Sequence, residues 1–150
     1  MVVPIPEFDI HGLLPPGVHD CTLEDVSARF GVFRGDERRP QLMTKLEAFV
    51  SEARQHEVLV EILIDGSFVT AAPHPNDIDL ILVVRADHDF AADLTPRIYN
   101  ILSKRRVQRR YGFDLLVARQ GSVEYVQWVE FFSQVRLEPD RQKGILRLRP

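Results

Sequence analysis

Apolar positions along the chain follow two periods. From Pro40 onward, Leu42, Leu46, Phe49, Val50 and Ala53 recur at the i, i+4, i+7, i+8 and i+11 spacing of one helical face, which predicts an amphipathic helix running to about Gln55. Three shorter segments read differently: VLVEILI at 58–64, IDLILVV at 78–84 and FDLLVA at 113–118. The first two are rich in β-branched residues, and the first stops at the turn signal Asp65-Gly66; all three predict strands.

Capping residues place the other elements. Thr22 with Asp25 three positions on, followed by Leu23, Val26 and Phe30 and closed by Gly31, predicts a helix of about two turns. Thr95-Pro96 is a cap with proline at the first helical position, and Ile98, Ile101, Leu102 and Arg105 share a face of a helix ending near Arg109. Ser122 caps a last helix whose buried face takes Val126, Val129 and Phe132 or Phe131; GILRLR at 144–149 alternates as a short terminal strand. Trp128, Phe131 and Phe132 read as core, with a partner surface as the alternative. Residues 1–20 carry Pro4, Pro6, Pro15, Pro16, Gly12 and Gly17, which predicts an arm of little regular structure packed on the body through Phe8, Ile10, Leu13 and Leu14. The result is one α/β (α+β) domain over 21–150, a short mixed sheet with helices packed on it, preceded by that arm.

Composition narrows the class. A chain of 150 residues can bury about 68–70% of its unfolded surface, so it requires no covalent staple. Its single cysteine, Cys21, has no internal partner, and MVVPIPEFDI lacks the basic-then-apolar order of a secretory leader, so the expected location is cytoplasmic. The apolar runs fall far short of the ~20 residues of a spanning helix, and no membrane role is expected. Net charge of −3 gives no general field for nucleic acid, although KRRVQRR at 104–110 places five cations in seven positions.

The chemistry lies where acids interrupt the apolar pattern. In a strand, Asp77 and Asp79 project to one side while Ile78 and Leu80 project to the other and fill the core. Two carboxylates ~7 Å apart on one face repel unless a positive group lies between them, and a hard divalent cation, Mg²⁺ or Mn²⁺, suits their oxygen donors. Asp114 opens the third predicted strand; if that strand lies beside the second, three acids converge on one sheet edge. Three acids can hold two metal ions that clamp the attacking and leaving oxygens of a phosphoryl or nucleotidyl transfer. Gly66-Ser67 adds close backbone approach and a hydroxyl, both suited to phosphate oxygens.

Gly66-Ser67, nine intervening residues, Asp77-Ile78-Asp79-Leu80 and the later Asp114 resemble the signature of the DNA polymerase β-like nucleotidyltransferase superfamily. The resemblance spans roughly residues 58–118. It implies that Asp77 and Asp79 bind metal and the incoming triphosphate, that Asp114 holds the catalytic metal and helps deprotonate an acceptor hydroxyl, and that Gly66 and Ser67 cradle the phosphates. The donor it implies is a nucleoside triphosphate, ATP being the commonest case. Small members from bacterial toxin–antitoxin pairs continue the turn as Gly-Ser-x-Ala-Arg-Gly. This chain reads Gly-Ser-Phe-Val-Thr-Ala-Ala-Pro, with no basic residue between Asp65 and Asp77 other than His74. The sequences flanking the core resemble instead a small group of prokaryotic proteins sharing it.

Two functional classes follow. One is a metal-dependent nucleotidyltransferase moving a nucleoside monophosphate to an acceptor hydroxyl. The other is a catalytically weak interaction protein on the same fold, such as the antitoxin of a toxin–antitoxin pair, with a protein partner or homodimer completing the site. Asp65, just before the turn glycine, reads as a solvated strand end, and His74 as a surface loop histidine. The KRRVQRR run reads as a solvated helix end or as a basic wall for triphosphate or RNA.

Overall fold

The computed structural model describes residues 5–150; the reading of the chain's first four residues, Pro4 included, lies outside them. The elements are β1 (Gly17–Cys21), α1 (Leu23–Phe30), α2 (Arg38–Arg54), β2 (Leu59–Asp65), a single 3₁₀ turn (Ser67–Val69), β3 (Asp79–Val84), α3 (Pro96–Leu102), α4 (Lys104–Tyr111), β4 (Asp114–Arg119), α5 (Val123–Ser133), β5 (Gln134–Val135), β6 (Glu138–Gln142) and β7 (Gly144–Leu148). Five strands form a mixed sheet in the order β1-β7-β2-β3-β4, and β5 and β6 form a separate two-stranded sheet. The α/β expectation is met by this single domain.

Strand alternation divides the core into two layers. Ile62 and Ile64 of β2, Leu80 and Leu82 of β3 and Leu146 and Leu148 of β7 pack in one cluster with Val26, Phe30, Leu46, Phe49, Ile101 and Val107 of α1–α4. The intervening Leu63, Ile81, Val83 and Ile145 form a second cluster with Phe132 and with the half-buried Trp128 and Val129 of α5. Because β3 is covered on both faces, LILVV reads as a continuous apolar run rather than an alternating one.

Local signals account for the helix ends. Thr22 and Asp25 form a reciprocal capping box, Thr95 and Ser122 cap α3 and α5, and Gly112 closes α4 in the left-handed conformation. The helix expected from Thr95 to Arg109 is instead two. Ser103 takes an extended ψ of 116°, and its side chain accepts from the Arg106 amide to start α4, which leaves Arg105 exposed rather than on the face of Ile101 and Leu102. In α5 only Phe132 is buried; Val126 and Phe131, expected inside, are exposed, because the single layer beneath the sheet is filled from one side of the helix.

Topology adds two features, the first of them a departure from the expected arm. Residues 5–16 contain no helix or strand, as expected of an arm, with Leu14 buried and Phe8 packed on the core, but Ile10, expected to pack, is 95% exposed, and Gly17–Cys21 is an edge strand running parallel to β7. The C-terminal strand β7 is inserted between β1 and β2 rather than added at an edge. Arg147 on β7 bonds both carboxylate oxygens of Asp20 on β1 and lies 3.2 Å from Glu61 of β2, which ties the three strands together.

Candidate functional site

The sheet register assembles the acids. Asp79 is opposite Asp65 in the antiparallel β2–β3 pair and opposite Asp114 in the parallel β3–β4 pair, so three carboxylates stand in one row across adjacent strands. Such strands are about 4.8 Å apart. Alternation sends them to a common side: Asp65 has the parity of Leu63, Asp79 that of Ile81, Asp114 that of Ala118, all of which pack toward α5. Asp77, expected on the strand, lies just before β3 and is set beside the row by its bonds to Ser67, while Ile78 and Leu80 are buried in the opposite cluster.

The Gly66-Ser67 turn locks onto this row. Gly66 has φ of +96°, and a Cβ there would lie 2.8 Å from the Asp77 carbonyl oxygen and 3.1 Å from the Asp79 nitrogen. Only glycine permits both the left-handed conformation and the close approach. The Asp77 carboxylate accepts from the Ser67 amide at 2.8 Å and from the Ser67 hydroxyl, while that hydroxyl accepts from the Asn76 amide at 2.9 Å. The Phe68 amide donates to the Asp77 carbonyl at 3.1 Å, so the turn and the start of β3 move as one unit.

The loop between them is held by a residue that the sequence reading did not single out. Arg39 of α2 is buried and donates to the carbonyls of Phe30, Phe68, Thr70 and Ala72 at 2.6–3.3 Å. A guanidinium remains charged in such a setting and its fork of donors matches several acceptors. Arg38 donates to Asn76 Oδ1 at 2.9 Å, and the exposed His74 contacts Asp36. The only sequence trace of Arg39 is a cation placed at the start of an amphipathic helix, one helical turn before the buried Met43.

Asp65 is not the solvated strand end that its position suggests. It is 4% exposed, and the Lys143 ammonium lies 3.0 Å from its Oδ1, an ion-pair contact without a well-directed hydrogen bond to that oxygen. Lys143 arrives from the opposite end of the chain because β6 leads into β7 beside β2, and its amide donates to the Ser133 carbonyl at 2.8 Å. No spacing rule joins residues 65 and 143. Tertiary packing alone pairs them.

Crowding marks Asp79. Burial, together with the neighbouring carboxylates of Asp77, Asp65 and Asp114, pushes its carboxyl up to about 6, with Lys143 opposing. Asp65 is also raised, chiefly by burial, against the pull of Lys143. Asp114 is exposed and lies 3.2 Å from Lys104, an exposed contact of small energetic weight. Among the described residues, no three His, Cys, Asp or Glu side chains are already gathered closely enough to hold a metal ion. The donor set still fits a hard divalent cation in chemistry, since it is all carboxylate oxygen and its central member is crowded by three other acids against one lysine.

These groups open into a cleft of about 750 Å³. Asp65, Gly66, Ser67, Asp77, Asp79 and Lys143 line it, together with Phe131 and Phe132 of α5 and the β5–β6 hairpin. Asp114 stands in the row but outside this lining, and so does every residue of the basic run among the described residues. Lys104 turns to Asp114 and Arg110 to Glu52 at 2.9 Å, so the run forms the solvated face of α4, with two of its cations paired. Cys21 is half-buried, and burial followed by Asp25 and Asp20 pushes its thiol up to about 12, which leaves no reactive thiolate. No helix among the described residues is long and apolar enough to cross a membrane.

No curated protein and no solved structure matches the chain. Residues 6–149 match the Family of unknown function (DUF6932), and the protein belongs to it.

Proposed function

We propose that the protein is a metal-dependent nucleotidyltransferase, moving a nucleoside monophosphate from a nucleoside triphosphate to an acceptor hydroxyl. The observation that carries this reading is the cross-strand row Asp65–Asp79–Asp114 with Asp77 bound to the Gly66-Ser67 turn. Folding alone gains nothing from raising a carboxyl to about 6 by burying it and crowding it with three others, so the acids are better explained by a cationic ligand.

In the reaction the acceptor oxygen forms a bond to the α-phosphorus, the bond to pyrophosphate breaks, and the hydroxyl proton passes to a carboxylate, for which Asp114 is the candidate. Asp77 and Asp79 would hold the divalent cation, Mg²⁺ or Mn²⁺, which when bound would neutralise phosphate charge and lower the pKa of the acceptor hydroxyl. The rigid mount of β3 and the turn fixes where the phosphates lie, so catalysis comes mainly from positioning and charge. The test is transfer from labelled ATP and the other triphosphates, with Mg²⁺ or Mn²⁺, read by mass shift on candidate acceptors. Asp77→Ala and Asp79→Asn are expected to abolish it; unchanged transfer in either variant rules the proposal out.

A second reading, an interaction protein of the antitoxin kind on the same fold, draws support from the engaged carboxylates of Asp77 and Asp114 and from the exposed Val123 and Val126 on α5. A rise in melting temperature with Mg²⁺ and a triphosphate is expected of the enzyme and not of this alternative.

A further inference from the structure

The cleft is lined by two chemically distinct sets of residues. β2, the turn and the start of β3 supply the acids and Gly66-Ser67; α5 and the hairpin supply the apolar Phe131, Phe132, Val135, Leu137 and Pro139, with Gln134 and Arg136 among them. Phe132 is buried, and its ring centroid lies 6.1 Å from that of Phe131, which is 62% exposed. Leu137, at the tip between β5 and β6, is 93% exposed and held at φ of +66°. An L-residue in that conformation costs about 1–2 kcal/mol. The turn it closes between β5 and β6 requires that conformation and leaves the Leu137 side chain in solvent. The hairpin is closed at its base by the Lys143 amide on the Ser133 carbonyl, so this apolar tip and the Lys143 ammonium are presented to the same cleft.

A ligand matching both sets carries anionic groups at one end, bound through a cation, and a flat apolar body at the other. We infer that Phe131 and the Gln134–Gln142 hairpin form the nucleobase subsite of the nucleotide, with the base stacked on the Phe131 ring and covered by Leu137, and the phosphates directed toward Asp77, Asp79 and Lys143. This rests on the nucleotidyltransferase reading and names a part of the site that the acids do not define. Stacking is tolerant of base identity, so the subsite sets affinity for a nucleoside rather than a strict choice among the four.

The experiment is calorimetric titration of the full chain with Mg²⁺ and, separately, each of the four nucleoside triphosphates and inorganic tripolyphosphate. Phe131→Ala is expected to weaken the best-bound nucleotide about tenfold or more, the loss of one stacked ring. Tripolyphosphate affinity should stay unchanged, and Phe131→Trp should restore nucleotide binding. Phe131 is exposed, so both variants should fold, which their melting curves check. If Phe131→Ala leaves nucleotide affinity intact, or lowers nucleotide and tripolyphosphate alike, the subsite is overturned while the acidic site stands. If the unaltered protein binds neither kind of ligand, the nucleotidyltransferase reading falls, and the subsite with it.

Discussion

Asp79→Asn should stabilise the fold while abolishing transfer. The Asp79 carboxyl, ordinarily near 3.8, is pushed up to about 6, first by burial and then by Asp77, Asp65 and Asp114. At about 1.4 kcal/mol for each tenfold change in proton affinity, that displacement corresponds to about 3 kcal/mol if no part of it is lost to solvent. Asp79 is only half-buried, so screening reduces the figure to about 1 kcal/mol. The folded-state value lies above the unfolded one; Asp79 therefore costs nothing below about pH 4, and stability falls as pH rises through about 6. Urea denaturation of both proteins at pH 4 and pH 7.5 checks the reasoning. The variant is expected to gain about 1 kcal/mol at the higher pH and close to nothing at the lower. Saturating Mg²⁺ should shrink the gain by stabilising the ionised aspartate of the unaltered protein. A variant that is less stable at pH 7.5, or whose gain is the same at both pH values, would show that Asp79 is not a crowded, uncompensated carboxylate.

Two further outcomes test the scaffold around it. Gly66→Ala should lose about 2–4 kcal/mol in urea denaturation, combining left-handed strain with a Cβ forced against the Asp77–Asp79 backbone. Gly112→Ala is the control, since it has φ of +79° and open space around the new methyl, and should lose only about 1 kcal/mol. Equal losses would remove the close approach from the account of the turn. Lys143→Met should cost about 3 kcal/mol at pH 7.5 by leaving Asp65 buried and unpaired, with the loss shrinking as acid protonates Asp65. Adding Asp65→Asn should recover part of it; a Lys143→Met protein that melts like the unaltered one at pH 7.5 would refute the pairing.

What the sequence determined by itself was everything set within a few residues of chain. The Thr22, Thr95 and Ser122 caps, the amphipathic face of α2 and the three apolar strands are local matters of hydrogen bonding and periodicity. Alternation likewise placed Asp79 opposite Leu80, because one step of strand suffices to decide it, whereas Asp77 precedes the strand and is held by the turn. The Ser103 break escaped notice because a serine within a helical pattern reads equally well as interior or cap.

Tertiary structure decided what depends on register and distant packing. Only strand pairing sets Asp65 and Asp114 beside Asp79, and only the insertion of β7 beside β2 brings Lys143 to Asp65 across 78 positions of chain. The same insertion buries Asp65, which local pattern takes for a solvated end, while the packing of α5 from one side leaves Phe131 facing a cleft rather than the core. Local pattern records which side of an element a residue occupies. Which other element meets that side is selected by the burial of two hydrophobic layers at once, a property of the whole sheet.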